Sequence, residues 1–388
     1  MVEIKNLVCV GVGQMGAGIA QVALMAGFNV ILEDIKDEFV NKAWASIEDG
    51  MKKLEAKDAL EGNKAADFMA KCKKSTNLAS AVKSADIMIE AVVENMDIKK
   101  QVFKTCGDNA PKHCILATNT STMSITEIGK DCGRPDKVCG MHFFNPVPLM
   151  RCIEIIKGGK TSDETTKIAE NFASKLPCLK GKRYIAIVLK DRPGFIVNRV
   201  IAPVQIYQNY VFDLAEQKKI SWKALDNDSV GPMPMCVLAD FVGIDTLFHV
   251  QNYYVETLSP DFAPGKVITR LFKEGKLGAK TGQGFHDWTK GRPEPDKSAG
   301  KAKLFNLKYP LAIMVNEGCR VLEEGVSNSW KVIDDAVMAG MNTPGPMTPN
   351  VKNSAKLVED LNELVKLTGK KYFAPCELLK SEAWVNKK

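Results

Sequence analysis

Short apolar segments alternate with longer amphipathic segments through the first half of the chain. This pattern predicts strands over 4–10, 29–33, 86–93, 113–117, 138–141 and 152–156, and helices over 14–25, 39–57 and 96–107. Gly27 lies where the first of these helices must stop. Short apolar strands that alternate with helices are typical of a parallel sheet with helices on both faces. We therefore predict an α/β fold for this half.

The second half has a different pattern. Helical periodicity dominates after the turn Arg192-Pro193-Gly194, and a segment rich in Pro, Gly and charge over 289–300 is typical of a linker. The predicted domains are an α/β domain over 1–190, a helical domain over 191–290 and a second helical domain over 301–388. Such a division fits a chain of this length.

The two helical regions share a sequence pattern. Residues 206–226 align without a gap with residues 314–334, and Ser221-Trp-Lys recurs as Ser329-Trp-Lys. We predict an internal duplication that produced two related all-helical domains. A duplicated helical unit packs its apolar face on a copy of itself, which here is either in the same chain or in a second chain. The predicted oligomeric state is thus a homodimer, or a monomer if the repeat replaces the dimer contact.

Composition excludes several classes of protein. Of 388 residues, 45% are hydrophobic and 26% charged, which is ordinary for a globular protein. The net charge of +7 comes without basic blocks interleaved with aromatics, so we predict no nucleic-acid partner. No apolar run approaches a membrane span. A strand pattern from Ile4 leaves no room for a signal peptide, and we expect a cytoplasmic protein.

The 11 cysteines are scattered, without a CxxC pair or a Cys/His spacing that suits zinc. They are typical of reduced thiols in an intracellular protein. We predict no metal site.

A glycine motif, Gly11-Val-Gly13-Gln-Met-Gly16, follows the first predicted strand and opens the first predicted helix. In such a fingerprint the glycines allow a tight turn, a close approach to a pyrophosphate and helix–strand packing. The helix N-terminus attracts phosphate, so Gln14 and Met15 in its first turn are candidate cofactor contacts.

Asp34 ends the next predicted strand, at the spacing of about 20 residues that the dinucleotide fingerprint requires. Its carboxylate would accept hydrogen bonds from ribose hydroxyls and repel a 2′-phosphate, and Glu33 beside it would add to that repulsion. The motif predicts a Rossmann-type domain that prefers NAD to NADP.

Further motifs resemble the L-3-hydroxyacyl-CoA dehydrogenase family. They are Ala117-Thr-Asn-Thr-Ser121, His142-Phe-Phe-Asn145-Pro, Glu154 and Pro193-Gly-Phe-Ile-Val-Asn198-Arg. The resemblance runs from the glycine motif to about Asp287, and the last region is similar to the second helical unit of the multifunctional enzymes of fatty-acid oxidation. It implies NAD-dependent oxidation of a 3-hydroxyacyl-CoA, with a short chain such as 3-hydroxybutyryl-CoA as the expected substrate.

Oxidation of an alcohol needs a base for the hydroxyl proton and an acceptor for the hydride, which NAD supplies. Of the four histidines, His142 is the candidate base because imidazole titrates near working pH and the motif surrounds it. The resemblance implies that Glu154 holds the imidazole tautomer. His113, His249 and His286 are predicted to be structural.

The resemblance also assigns contacts around the base. Ser121 and Asn198 are expected to hydrogen-bond the reacting oxygen. Ser121 could instead cap the helix before Ile125, and Asn198 could instead be a cap or a domain-interface bond. The cofactor contacts that the resemblance implies are Asn119, Asn145, Glu94 and Lys99. The last two follow the third predicted strand, where ligands bind in such sheets.

The site for CoA is less well defined by the sequence. Lys57 matches a family lysine at the end of the second predicted helix, whereas Gly50 stands where family members carry a serine. Two alternatives to the acyl-CoA enzyme stay open: a dehydrogenase of free hydroxy acids or sugar acids, and a structural or NAD-sensing protein that has kept the fold.

Overall fold

The computed structural model describes residues 3–229 and 233–388. Contacts divide the chain into two compact units. The first comprises residues 1–197 and 324–345, and the second residues 198–323 and 346–388. Residues 324–345, which the sequence placed in the last domain, thus pack with the sheet. The predicted domain boundaries and the duplication stay predictions.

An eight-stranded sheet forms the centre of the first unit. Its strands are β1 (Asn6–Val10), β2 (Asn29–Glu33), β3 (Cys72–Ser75), β4 (Ile87–Glu90), β5 (Ile115–Thr118), β6 (Val138–Phe143), β7 (Cys152–Ile156) and β8 (Tyr184–Val188). Their order is β3-β2-β1-β4-β5-β6-β7-β8. Successive strands are added on one side of β1 as far as β3 and on its other side from β4 onward. The boundary between β1 and β4 is therefore the switch point, where such sheets bind ligands.

One pair of strands departs from the parallel arrangement that was predicted for the sheet. All neighbouring strands pair in parallel except β6 and β7, which are antiparallel with His142 opposite Glu154. The connection over 144–151 is too short for the crossover that parallel neighbours need. It can only return the chain as a hairpin.

Helices cover the sheet of the first unit. They are α1 (Gln14–Met25), α2 (Asp37–Glu55), α3 (Ala65–Met69), α4 (Leu78–Ala81), α5 (Met96–Asn109), α6 (Ile125–Ile128) and α7 (Asp163–Lys175). Strands β4 to β7 are buried along their whole length, which explains their continuous apolar sequences. Helix α14 (Trp330–Met341) packs on β7 and β8, where Gly340 lies against Phe144 and Cys152.

The second unit is helical, as predicted for this region. Its helices are α8 (Val197–Gln217), α9 (Trp222–Asp226), α10 (Met235–Val242), α11 (Ile244–Thr257), α12 (Lys266–Lys273), α13 (Lys308–Glu323), α15 (Ser354–Thr368) and α16 (Glu377–Lys380). Across 3–229 and 233–388, no helix is long and apolar enough to cross a membrane.

Two segments of this region were singled out by the sequence. The predicted linker is held on α9, because the Asn227 amide donates to the main-chain oxygens of Asp296 and Gly300 at 2.8 and 2.7 Å. In the proposed repeat, Ser221 caps α9 and Ser329 caps α14 with their side-chain oxygens. The recurring Ser-Trp-Lys is therefore a helix start in both regions.

A buried ion cluster joins the ends of the second unit. Arg199 on α8 and Arg320 on α13 both pair with Glu317 on α13, and the Tyr372 hydroxyl donates to Glu317 at 2.8 Å. Glu317 and Arg199 are buried, so each depends on the other for compensation of its charge.

Candidate active site

The glycine motif forms the turn between β1 and α1, at the carboxyl edge of the sheet. Gly11 has φ +80°, and a Cβ there would lie 2.7 Å from Val92. A Cβ at Gly16 would lie 2.0 Å from the main-chain oxygen of Gly11, so that only glycine lets the helix approach the turn. Both positions show the requirement predicted for them.

The start of α1 fits a dinucleotide. A Cβ at Gly13 would meet nothing within 4 Å, so the space beside this residue is open. The first turn, which begins with exposed Gln14 and half-buried Met15, has neither an acidic residue nor a side-chain cap. Its free N–H groups and the positive end of the helix dipole suit a pyrophosphate.

Asp34 follows β2 beside the same turn. Its carboxylate accepts hydrogen bonds from the N–H groups of Val12 at 2.9 Å and Ile35 at 2.8 Å. Half-buried Asp34 thus holds the glycine turn in place and keeps further lone pairs for ribose hydroxyls.

Glu33 differs from the prediction. Its side chain is 5% exposed, and burial, together with the Asp34 charge, raises its pKa to about 7. With a pKa of about 7, this carboxyl group carries only part of a negative charge at neutral pH. Asp34 is therefore the stronger of the two candidates for discrimination against a 2′-phosphate.

A buried ion pair lies at the end of β4, beside the switch point. The Lys99 ammonium is 2.7 Å from Glu90 and 3.1 Å from Glu94, and only 1% of the Lys99 side chain is exposed. Glu90 also accepts hydrogen bonds from the Thr118 hydroxyl and the Val92 N–H, each at 2.7 Å. The predicted cofactor contact Lys99 is thus enclosed by two carboxylates, Glu90 and Glu94.

Glu94 holds the loop after β5. Its carboxylate accepts hydrogen bonds from the Thr120 hydroxyl at 3.0 Å and from the Ser121 N–H at 3.1 Å. Nearby, the Asn119 side chain accepts the Phe143 N–H at 2.9 Å and so ties this loop to β6. These contacts fix where Ser121 lies relative to the strand that carries His142.

His142 and Glu154 form a buried pair across β6 and β7. The His142 Nδ1 is 2.7 Å from Glu154 Oε2. His142 is 5% exposed and Glu154 is 0% exposed. Glu154 Oε1 accepts the N–H groups of Ile196 at 3.0 Å and Val197 at 2.9 Å. The carboxylate is thereby paired on both oxygens, which is what a buried charge requires.

This pairing determines what the imidazole can do. A carboxylate accepts only, so Nδ1 carries the hydrogen and Nε2 is left with a free lone pair. The rings of Phe144 and Phe195, with centroids 4.5 and 5.8 Å away, restrict the imidazole on its sides. A base oriented by a carboxylate in this way is suited to proton transfer at Nε2.

The other predicted site residues have separate positions. Asn145 is exposed just beyond β6. Asn198 lies in the first turn of α8 in the second unit. Lys57 is exposed and lies past the end of α2, which stops at Glu55 rather than at Lys57 as predicted. A Cβ at Gly50 would meet the Gln21 amide at 3.0 Å, so a family-like serine would displace that side chain.

Sequence reasoning missed Glu90 and Thr118. Glu90 interrupts an apolar strand, and a carboxyl group there signals a buried partner, but nothing in the sequence identified Lys99 as that partner. Two histidines predicted to be structural pair with aspartates: His113 with Asp86 at 2.9 Å and His286 with Asp226 at 2.6 Å.

One group of possible metal ligands was also not foreseen. Asp226, Cys236 and His286 have side-chain donor atoms within 4.8 Å of one another. Both Asp226 oxygens are already hydrogen-bonded, one by the Cys236 N–H and one by His286.

Fold and site together define an NAD-dependent dehydrogenase. Residues 6–190 match the 3-hydroxyacyl-CoA dehydrogenase NAD binding domain, and residues 194–288 match the C-terminal domain of that family. The chain belongs to the 3-hydroxyacyl-CoA dehydrogenase family, and its cofactor is NAD.

Individual relatives agree with this assignment. Mitochondrial hydroxyacyl-coenzyme A dehydrogenase of Sus scrofa is 36% identical over 293 residues, which span 74% of this chain and 91% of that protein. The crystal structure of (S)-3-hydroxybutyryl-CoA dehydrogenase from Ralstonia eutropha is 34% identical, with a TM-score of 0.67 over 74% of this chain and 99% of that one.

A third comparison covers the C-terminal region as well. The structure of 3-hydroxybutyryl-CoA dehydrogenase from Escherichia coli has a TM-score of 0.84 over 98% of both chains, at 24% identity. This likeness shows that the fold of the whole chain, including the second helical region, recurs in another protein.

Proposed function

We propose that the protein oxidises (S)-3-hydroxyacyl-CoA to 3-oxoacyl-CoA with NAD, reversibly, and that short substrates such as 3-hydroxybutyryl-CoA are preferred. The named relatives act on such thioesters, and this supports the substrate class. The observation that carries the proposal is the buried His142–Glu154 pair, which leaves one imidazole nitrogen free to act as a base.

In the proposed mechanism, His142 Nε2 takes the proton of the substrate hydroxyl. NAD, when bound, accepts the hydride from C3 of the substrate. Glu154 stabilises the imidazolium formed, because its charge lies against Nδ1 and is held by two N–H groups. In the reverse direction, protonated His142 returns the proton to the carbonyl oxygen of the 3-oxoacyl group.

Positioning is assigned to the residues around the base. Ser121 and Asn198 are proposed to hydrogen-bond the reacting oxygen, and Glu94 supports this by fixing the loop of Ser121. Asn145 and Asn119 are proposed to lie beside the nicotinamide. Lys57 is proposed to attract the phosphates of CoA, since it is exposed and can move toward them.

The decisive experiment follows NADH absorbance with acetoacetyl-CoA, with free acetoacetate and NADPH in parallel. Rapid turnover of the thioester alone, with preference for NADH, is the expected result. Turnover of the free acid at a comparable rate would instead indicate a hydroxy-acid dehydrogenase. Intact NADH binding without turnover of either substrate would indicate a protein that has lost its chemistry.

We also propose a cytoplasmic location, and the 11 free cysteines are typical of an intracellular protein. The relative from Sus scrofa is mitochondrial, so cell fractionation with a mitochondrial marker is the appropriate test. Recovery of the protein with the mitochondrial matrix would overturn this part of the proposal.

A further inference from the structure

Three side chains of metal-binding type meet in the second unit. Asp226 ends α9, Cys236 lies in the first turn of α10, and His286 lies in the chain after α12. Their donor atoms are all within 4.8 Å of one another, and Asp226 Oδ2 is 2.6 Å from His286 Nε2. Asp226 and Cys236 are buried, and only 9% of the His286 side chain is exposed. The three residues are 10 and 50 positions apart in the chain, so no sequence motif reveals them.

A second carboxylate holds His286 in this place. Asp240 on α10, which is 1% exposed, accepts the N–H groups of Phe285 at 2.7 Å and His286 at 2.9 Å. It also accepts the indole N–H of Trp288 at 2.9 Å. Because Asp240 lies one turn after Cys236 on the same helix, these bonds fix His286 relative to the Cys236 thiol. Partners of this kind orient the ligands of a metal site.

The hydrogen bonds within the group leave it able to bind a cation. The Cys236 N–H donates to Asp226 Oδ1 at 2.8 Å and His286 Nε2 bonds Oδ2, so each carboxylate oxygen keeps a further lone pair. In a tetrahedral zinc site, bonds of about 2.0–2.3 Å place the ligand atoms roughly 3.3–3.7 Å apart. Side-chain shifts of about 1 Å therefore suffice for the three donor atoms to reach this spacing.

The ligand types favour one kind of metal. Thiolate sulfur and imidazole nitrogen suit Zn²⁺, whereas Mg²⁺ and Ca²⁺ take oxygen ligands. A divalent cation also balances the two negative charges of the Cys236 thiolate and the Asp226 carboxylate. The bound site is then neutral, which satisfies the requirement that buried charges be compensated.

A cavity gives access to the group. His286 lines an open cavity of about 490 Å³, together with Glu216, Ser221, Trp222 and Asp287. Among residues 3–229 and 233–388, the group of possible ligands has three members. The fourth position of a tetrahedral zinc ion is therefore left to a water molecule from this cavity.

We propose that Asp226, Cys236 and His286 bind one zinc ion, which ties α9, α10 and the chain after α12 together. On binding, the Cys236 thiol gives its proton to solvent, and the imidazole hydrogen moves to the ring nitrogen that does not bind. No part of the dehydrogenase mechanism uses these residues. The proposal therefore goes beyond the proposed function and does not depend on it.

The test titrates Zn²⁺ into the reduced full-length protein after metal has been removed by a chelator. We expect one zinc ion per chain by calorimetry and a higher Tm with zinc, because a ligand that binds the folded state stabilises it. Mg²⁺ at the same concentration should do neither. Titration with Co²⁺ in place of zinc should give the near-ultraviolet charge-transfer band that a thiolate ligand produces.

Variants identify the ligands. Cys236→Ser should abolish the cobalt band, and both Cys236→Ser and His286→Gln should weaken zinc affinity at least about 100-fold, more than is usual for an outer-shell partner. The matched controls are Cys178→Ser, at a half-buried cysteine, and His249→Gln, at an exposed histidine, and both should bind zinc as the wild type does.

Circular dichroism checks that each variant is folded, and His286→Gln at the cavity wall provides the test if Cys236→Ser is not. Lack of stoichiometric zinc binding by the wild type would overturn the proposal. So would zinc affinity in His286→Gln equal to that of His249→Gln, or a cobalt band that survives in folded Cys236→Ser. None of these measurements uses turnover, so failure of the proposed function leaves the result unaffected.

Discussion

At the scale of single residues, the site depends on side chains whose partners come from neighbouring strands. His142 and Glu154 are 12 positions apart in the chain but directly opposite in the sheet. Their pairing is a consequence of strand register, since a shift of one residue would turn Glu154 to the other face. The carboxylate then receives two further N–H groups, which make its burial tolerable.

The first prediction concerns the base. His142→Ala should lower kcat with acetoacetyl-CoA by roughly 10²- to 10⁴-fold, the usual contribution of a general acid or base, while NADH binding is retained. Steady-state kinetics and fluorescence titration of NADH measure the two effects. His113→Ala is the control, since His113 pairs with Asp86 away from the strand pair. Near-native turnover in His142→Ala would remove the base from the mechanism.

Cofactor choice is predicted to depend on Asp34. Asp34→Ala should lower kcat/KM with NADH about 10- to 100-fold, as for the loss of hydrogen bonds to a charged group, and should lower it much less with NADPH. Asp37→Ala, in the exposed first turn of α2, is the control. An equal loss with both cofactors would mean that Asp34 acts only by holding the Val12 N–H.

Glu33 provides a prediction about pH. Its folded-state pKa is raised from 4.5 to about 7, so between these values the unfolded chain releases a proton that the folded protein keeps. Stability is therefore lost as pH rises through this window. Glu33→Gln removes this loss. Above pH 7 its free energy of unfolding should exceed that of the wild type by about 1–3 kcal/mol, and near pH 4.5 the two should differ little.

The measurement is Tm against pH for both proteins, with Glu38→Gln at an exposed position as the control. A difference in Tm between Glu33→Gln and the wild type that does not change from pH 4.5 to pH 8 would contradict the assigned pKa.

At the scale of elements, the sequence predicted much of the sheet and little of its edges. Apolar runs located β1, β2, β4, β5, β6 and β7, and α1 begins and ends as predicted. Strand β3 was missed because its sequence, Cys72-Lys-Lys-Ser, is polar and only its first residue is buried. Hydrophobic pattern alone does not reveal such a polar strand. The other edge strand, β8, was also not predicted, although its sequence Tyr184-Ile-Ala-Ile-Val is apolar.

The candidate site was predictable where a motif sets local geometry and not where distant residues meet. The glycine turn and Asp34 are such local features. The burial of Lys99 depends on Glu90 and Glu94, which lie on other elements, and a lysine on an amphipathic helix is usually in water. Nothing in a linear pattern identifies which lysine is enclosed.

This buried network leads to a prediction for α5. Lys99→Met leaves Glu90 buried without its counter-charge and should cost about 3–5 kcal/mol in the free energy of unfolding. Its neighbour Lys100, partly exposed with a 3.5 Å contact to Glu127, is the matched control, and Lys100→Met should change stability by about 0.5 kcal/mol or less. Urea unfolding of both variants measures this. Equal stability of the two variants would show that Glu90 finds other compensation.

At the scale of the whole molecule, the last 88 residues are part of both units rather than an appendage. Helix α14 covers β7 and β8 of the first unit, and Glu317 compensates buried Arg199 in the second. The Ralstonia eutropha structure aligns over 99% of its own length with 74% of this chain. In this chain, the surfaces that the C-terminal region covers are apolar or carry a buried charge.

We therefore predict that a chain ending at Gly300 does not fold stably. It should expose apolar surface, bind the dye ANS and lose a cooperative thermal transition, because β7 and β8 lose α14 and Arg199 loses its carboxylate. Glu317→Gln in the full chain tests the loss of the Arg199 counter-charge alone. It should lower the free energy of unfolding by about 3–5 kcal/mol. Glu359→Gln, in an exposed pair with Lys356, is its control. A sharp transition in the truncated chain would contradict this account.

The path of the backbone limits how recombination can exchange parts of this gene. The chain passes from one compact unit to the other near residues 197, 323 and 345, so neither unit is a continuous stretch of the gene. A single recombination break can transfer a continuous stretch but cannot transfer either unit whole. We expect this architecture to diversify by point substitution and terminal extension rather than by exchange of modules, because a transferred fragment would arrive without part of its own core.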